Sequence, residues 1–394
     1  MTKKEFRKGV FWAGSVDWDR RLFDSLIPLP DGTSYNAYIV RGSGATALLD
    51  AVDPAKLGEL EGHLTDVGKI DYVVAHHAEQ DHSGGIPYVL AKYPQAKVVC
   101  TPLAKGMLID HLGIAEDRFQ TVADGERISL GDRTLRFIHA PWVHWPETMA
   151  SYLEEEKVLF SRDWFGSHLA TSDLFVGDES RVYEPAKRYF AEIMLPFRAI
   201  IRKNLDKIKD LPIDIIAPSH GPLYPRPEFI ISAYGEWASD TPKNVVVIPY
   251  VSMHGSTALM VEHLTAALDR KGITVLPFNL PVTDIGKLAM SLVDAATIVV
   301  GCPAVHVGPH PLAANAAILA NALRPKVRFA SIIGSYGWAN KIVEMITGLI
   351  PNLKVEVLTP VLAKGLPKEA EFKALDALAD AIAEKHKAAG LRNY

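Results

Sequence analysis

The chain has 394 residues, enough for two or three domains, and its 48% hydrophobic and 22% charged composition is that of an ordinary globular protein. A mainly disordered chain, a collagen-like rod and a coiled coil are excluded. Lys and Arg number 42 against 46 Asp and Glu, so the formal charge of -4 gives no electrostatic reason to bind nucleic acid.

In chain order, runs rich in β-branched and aromatic residues, bounded by Gly, Asp or Pro, predict strands over 34–40, 46–49, 72–75, 97–100, 134–139, 150–153, 157–160 and 213–217. Helices are predicted over 54–67, 85–93 and 185–209. So many short strands, some joined by turns as tight as Leu130-Gly131-Asp132, point to packed sheets rather than one parallel sheet. The pattern becomes regular after the polar stretch Ser239-Asp240-Thr241-Pro242-Lys243-Asn244. Residues 245–250 are apolar without alternation, as in a parallel strand buried on both faces. Four more strands are predicted over 274–278, 296–301, 327–334 and 354–358, with helices over 258–271, 287–293, 311–323, 341–349 and 368–387. That alternation describes a doubly wound α/β domain. The expected division is 1–243 and 244–394.

Only two cysteines occur, Cys100 and Cys302, which excludes a disulfide framework and a Cys-rich zinc site. Without a CxxC pair a fused rubredoxin-type iron centre is excluded too. The N-terminal Met1-Thr2-Lys3-Lys4-Glu5-Phe6-Arg7 is charged, and no apolar run reaches about 18 residues. The expectation is a cytoplasmic protein without a membrane segment.

The strongest chemical signal is His77-Ala78-Glu79-Gln80-Asp81-His82, four potential metal ligands in six residues at the end of a predicted strand. Three more candidates stand just after strands. His144 lies in Pro141-Trp142-Val143-His144-Trp145-Pro146-Glu147-Thr148, Asp163 in Phe160-Ser161-Arg162-Asp163-Trp164-Phe165-Gly166, and His220 in Ala217-Pro218-Ser219-His220-Gly221. Taken singly, a His or Asp after a strand is more often a cap, a turn residue or a hydrogen-bonded surface group. Four strand ends each delivering one are hard to explain that way. His76, His139, His168, His254, His306 and His310 lack this support, and His76 should point away from His77 because adjacent strand residues face opposite sides.

The series resembles the metallo-β-lactamase superfamily, with Glu79 where the usual signature has His. In its HxExDH form, followed by HWP(D/E)(S/T), FSxD and APSH, it resembles the flavodiiron proteins (A-type flavoproteins) over essentially the whole chain. The fold this implies is an N-terminal metallo-β-lactamase-like αββα sandwich followed by a C-terminal flavodoxin-like doubly wound parallel sheet. Exchanging imidazole for carboxylate makes the first metal position harder and better suited to iron than to zinc. The resemblance implies that His77, Glu79 and His144 hold one iron, that Asp81, His82 and His220 hold the other, and that Asp163 bridges them. His82 is a ligand in some members and replaced by water in others. Trp164 after the bridging Asp and Glu147 in place of Asp depart from the commonest pattern; neither removes a ligand, and Trp164 bears on the shape of the gas pocket.

The second site is the turn Ser252-Met253-His254-Gly255-Ser256-Thr257, between a strand and a helix. Backbone N–H groups at a helix start, with small hydroxyl residues, cradle a phosphate monoester. A capped helix start is the bland alternative. In this position the turn resembles the flavodoxin FMN-phosphate loop, and it is not a GxGxxG dinucleotide fingerprint. Two further loops are expected to cover the flavin ring. Ser335-Tyr336-Gly337-Trp338 matches the family closely, whereas Pro303-Ala304-Val305-His306-Val307-Gly308 lacks the usual aromatic residue, which predicts an unusual flavin potential and exposure. Core packing near a turn is the plainer account of Tyr336 and Trp338.

The resemblance implies an oxidoreductase. Electrons from an external donor, a rubredoxin-like protein or a reduced deazaflavin, pass through FMN to a non-haem diiron site. That site reduces dioxygen to water, nitric oxide to nitrous oxide, or both, and the reading leans to dioxygen. No catalytic residue is singled out beyond the metal ligands. A head-to-tail homodimer, or a dimer of such dimers, is implied because flavin and iron lie far apart within one subunit of the family. Two alternatives stay open: a zinc hydrolase of the metallo-β-lactamase type, and an FMN electron carrier with a non-catalytic lactamase-like scaffold.

Overall fold

The computed structural model describes residues 3–391, which fall into two compact units. The first runs through Phe190 and resumes over Phe197–Ala238; the second takes Ala191–Pro196 and the chain from Ser239 onward.

The first unit is built on two sheets. One has seven strands, in the spatial order Lys4–Arg7, Val10–Trp12, Tyr38–Arg41, Thr46–Leu49, Tyr72–Val74, Lys97–Cys100 and Phe119–Thr121; the pairings are antiparallel up to Thr46–Leu49 and parallel beyond it. The other has five, Arg127–Ser129, Thr134–His139, Met149–Leu153, Val158–Arg162 and Ile215–Pro218, with only the last pairing parallel. Alternation along the strands decides the layers. Tyr38, Val40, Ala47 and Leu49 pack with Phe137, Met149, Leu153, Val158 and Phe160 in a core between the two sheets. The intervening Ile39 and Leu48 face the other way, onto Leu60 of the helix Leu57–His63, Val89 of Ile86–Lys92 and Leu108 of Pro102–Leu112. Each buried Leu, Ile or Phe in these cores contributes roughly 1.5–3 kcal/mol.

The second unit is a parallel sheet in the order Thr274–Asn279, Val245–Tyr250, Thr297–Val305, Phe329–Tyr336, then a fifth position. In sequence terms this is 2-1-3-4-5, the flavodoxin-like order. The fifth position differs from the single strand predicted over 354–358. Glu356–Val357 pairs with Phe329 and Ala330, Val361–Lys364 pairs with residues 333–336, and Pro360, which has no N–H to donate, lies in the gap. The helices Ser256–Asp269 and Glu369–Ala388 cover one face through Met260, Leu264, Leu375, Leu378 and Ile382. Among the described residues no helix is long and apolar enough to cross a membrane.

The helix predicted over 185–209 is broken. A helix Glu179–Tyr189 passes through a π turn, Phe190–Met194, and a 3-10 turn, Leu195–Phe197, before Arg198–Ile208 continues. Pro196 within the break cannot donate to a helical ladder.

Candidate metal centre and phosphate-binding cleft

Strand ends position every candidate ligand. Tyr72–Val74 runs out through His76 and His77, and Glu79 precedes a single helical turn, Gln80–Ser83, that carries Asp81 and His82. His144 lies between Thr134–His139 and Met149–Leu153. Asp163 follows Val158–Arg162, and His220 lies two residues past Ile215–Pro218. These last two strands are parallel, with Arg162 opposite Pro218, so both loops leave the same edge of the sheet.

The seven residues meet in two groups. His77 Nε2 is 3.1 Å from Glu79 Oε2 and 3.2 Å from Asp163 Oδ2. His144 Nε2 is 3.1 Å and 3.0 Å from the same two oxygens. In the other group His82 Nε2 is 2.8 Å from Asp81 Oδ2 and 3.1 Å from His220 Nε2, which is 3.4 Å from Asp81 Oδ2. Asp163 spans the two: its Oδ1 is 3.5 Å from His82 Nε2 and 3.7 Å from His220 Nε2. One carboxylate oxygen therefore faces each group.

Neighbouring residues hold these side chains in place. Ser219 Oγ donates to Asp163 Oδ1 at 2.5 Å. His220 Nδ1 donates to the Ser34 carbonyl at 2.7 Å, which fixes its Nε2 as the free nitrogen. Glu147 is buried and its Oε1 accepts from the Ala78 N–H at 2.9 Å, bracing the 77–82 loop. Trp164 is buried and stacks on Phe165.

His76 turns away, as alternation requires: its Nδ1 meets Asp50 Oδ2 and its Nε2 meets Ser151 Oγ, both at 2.7 Å. His168 is the neighbour that sequence reasoning passed over. Its ring lies 4.8 Å from that of His220 and its Nδ1 is 2.9 Å from Thr33 Oγ1. Nothing in its local sequence marks it, since the contact is made by chain more than a hundred residues away.

The electrostatics fit a cation. Burial would raise the Glu79 carboxyl, but hydrogen bonds from His144 and His77 outweigh it and hold the group down to about 2. Asp163 is likewise held well below the carboxylate range, with burial opposed by Arg162 and His77. Burial would lower His144, yet its bonds to Asp163 and Glu79 raise it to about 10. Imidazole protons, with the Arg162 guanidinium, thus neutralise Glu79 and Asp163 in a space nearly closed to water, the task a metal ion performs. Asp81 Oδ1 is buried without a hydrogen bond among the described residues, and Oδ2 has the His82 and His220 nitrogens beside it. Imidazole and carboxylate donors without thiolate suit a first-row metal such as iron.

In the second unit a cleft of about 450 Å³ is lined by Ser252, Met253, His254, Ser256, Thr257, Pro303, Ala304, Ser335, Tyr336, Gly337, Trp338 and Gly365. Gly255 stands at φ 90°, a conformation that L side chains rarely adopt, and the helix Ser256–Asp269 opens behind it, two residues before the predicted start. Ser252 Oγ accepts from the Ala258 N–H at 3.1 Å, and Thr257 Oγ1 lies 3.1 Å from Ser335 Oγ. Amides at this helix start, small hydroxyl residues and a cleft of this volume fit a phosphorylated ligand the size of FMN. Pro303 and Ala304 reach the cleft. Val305 and Gly308 instead pair across a hairpin turn whose tip is His306 and Val307, and these four are absent from its lining. Trp338 is 79% exposed, so it is not a core aromatic; Gly365 is a lining residue that the sequence did not single out.

Residues 33–221 match the family described as ODP family beta lactamase. The chain is 35% identical to a nitric oxide reductase of Moorella thermoacetica, over 89% of this chain and 90% of that protein. Its fold superposes on rubredoxin oxygen:oxidoreductase from Desulfovibrio gigas with a TM-score of 0.94, at 29% identity and 98% and 99% coverage. The flavodiiron protein from Giardia intestinalis gives a TM-score of 0.92, at 27% identity and 99% and 98% coverage. With the site and both folds in agreement with these likenesses, the chain belongs to the flavodiiron protein family.

Proposed function

We propose that the chain is a flavodiiron oxidoreductase that passes electrons from an external donor through FMN to a non-haem diiron site, reducing dioxygen to water, nitric oxide to nitrous oxide, or both. The observation that carries this reading is Asp163, which turns one oxygen toward each of two groups of imidazole and carboxylate donors. His77, Glu79 and His144 would hold one iron, Asp81, His82 and His220 the other. Residues 252–257 would take the FMN phosphate, with Pro303, Ala304 and 335–338 beside the ring. When bound, the flavin exchanges electrons singly or in pairs and the iron pair binds and reduces a diatomic gas.

The chain's own residues do the rest. Ser34 and Ser219 orient His220 and Asp163, and Glu147 holds the turn that carries Glu79. Burial of His77, His82, Asp163 and His220 keeps bulk water away from the site. A rubredoxin-like protein or a reduced deazaflavin serves as donor; relatives of this chain are named for rubredoxin and for coenzyme F420H2. Cytoplasmic location and a head-to-tail homodimer, or a dimer of such dimers, complete the proposal.

The test is iron, zinc and FMN per subunit on anaerobically purified protein. About two irons and one FMN are expected, with reduced protein oxidised by dioxygen, nitric oxide or both in stopped flow. Zinc with little iron, and no turnover after loading with iron, overturns the reading.

A further inference from the structure

Arg162 immediately precedes Asp163, and its side chain is completely buried. The guanidinium lies against the His77 ring, with Nη2 touching both ring nitrogens, while Nη1 is 3.3 Å from Asp163 Oδ1. The backbone holds it there: φ is 67°, and the Arg162 carbonyl accepts from the Ser219 N–H at 3.0 Å. An arginine keeps its proton at any working pH. Its Nε and Nη1 are buried and make no hydrogen bond among the described residues. Only Nη2 is engaged in hydrogen bonding, with His77, so two of the three guanidinium nitrogens are left unused as positioning donors. Beyond that contact with His77, what this side chain brings to the site is charge, set beside Asp163.

A buried charge persists only among opposite charges. Asp163, Asp50, Asp81 and Glu79 all act on Arg162, and three of these four are candidate ligands. The same carboxylates therefore face two demands, the fixed guanidinium and a bound metal. We propose that Arg162 is a built-in counter-cation of the diiron centre, which weakens its hold on metal and raises the reduction potential of its iron. The inference rests on the diiron reading above. Its sign follows from Coulomb's law: a fixed positive charge repels a bound cation, and repels the ferric form more than the ferrous. Arg162 acts through the ligands and touches no substrate; it is a tuning residue, not a catalytic one.

The experiment compares wild type with Arg162→Gln and Arg162→Lys, with thermal melts to check folding. Metal-free protein is titrated anaerobically with zinc alone, and iron-loaded protein is titrated by potential and followed by electron paramagnetic resonance. Arg162→Gln is expected to bind zinc about tenfold more tightly, and Arg162→Lys to stay within about threefold of wild type. The iron potential of Arg162→Gln should fall, and a tenfold shift in a one-electron couple corresponds to about 59 mV. A folded Arg162→Gln that binds zinc no more tightly and keeps the wild-type potential overturns the proposal. If Arg162→Gln does not fold, Arg162→Lys decides: it keeps the charge, so a zinc affinity more than about tenfold from wild type assigns the role to shape and overturns it. Wild type that takes up no metal would instead remove the diiron reading, and this proposal with it.

Discussion

Asp163 is the residue on which both groups of donors depend, because its two oxygens face different groups. Asp163→Asn removes the charge and turns an amide nitrogen toward one of them. The expected outcome is iron well below two per subunit, gas turnover abolished and FMN content unchanged; full turnover in this variant would contradict the bridging role. His82 tests the geometry more finely, since its Nε2 sits among Asp81, His220 and Asp163. His82→Ala should lower the affinity of its group at least about tenfold and leave the His77 group loaded, as measured by anaerobic metal titration. Proton release gives a third check. His144 holds its proton up to about 10 in the metal-free site, and a ligating imidazole must give that proton up. Affinity for zinc should therefore climb with pH through the neutral range, and protons should appear in the buffer on binding. A pH-independent affinity would mean that His144 is not a ligand.

At the scale of elements, the loops that carry the site depend on backbone that few side chains tolerate. Gly221, next to His220, has φ 80°, and a Cβ there would meet the Ser167 carbonyl oxygen at 2.7 Å. Gly221→Ala is expected to destabilise the first unit by about 1–3 kcal/mol and to loosen metal binding in the His220 group, read from melts with and without zinc. The strand ends that deliver ligands were legible because each combines an apolar run with a His or Asp just beyond it. The helix Pro102–Leu112 was not legible: Leu103 is 54% exposed while Ala104 and Leu108 are buried, so its apolar residues do not mark one face. The strands Lys4–Arg7 and Val10–Trp12 escaped for another reason, being short, and charged in the first case, where pattern carries little information. Arg162 and His168 belong to the surroundings of the site only through folding. Their partners His77 and Thr33 lie 85 and 135 residues away, and no local spacing reports such contacts.

At the scale of the whole molecule, sequence pattern was enough to separate packed sheets from a doubly wound α/β domain, whose strand order 2-1-3-4-5 came only with the structure, and the second unit carries a pH dependence of its own. His386, on the helix Glu369–Ala388, is buried against the strand Thr297–Val305 and the residue that enters the first strand. Its Nδ1 donates to Asn244 Oδ1 at 2.6 Å, and its Nε2 accepts from Thr297 Oγ1 at 2.7 Å. Both partners are neutral, and burial pushes the group down to about 4 from an ordinary value of 6.5. Between those values the unfolded chain binds a proton that the native unit refuses. The contribution of His386 is complete above pH 6.5, is lost progressively as the pH falls, and levels off below about 4. Allowing for screening, the loss is on the order of 2 kcal/mol. His386→Gln, neutral throughout, should be less stable than wild type at neutral pH and should lose less stability between about pH 6.5 and 4. Urea unfolding of the second unit, followed by release of flavin fluorescence at several pH values, measures the difference. Equal acid sensitivity in the two proteins would show that His386 is not the group responsible.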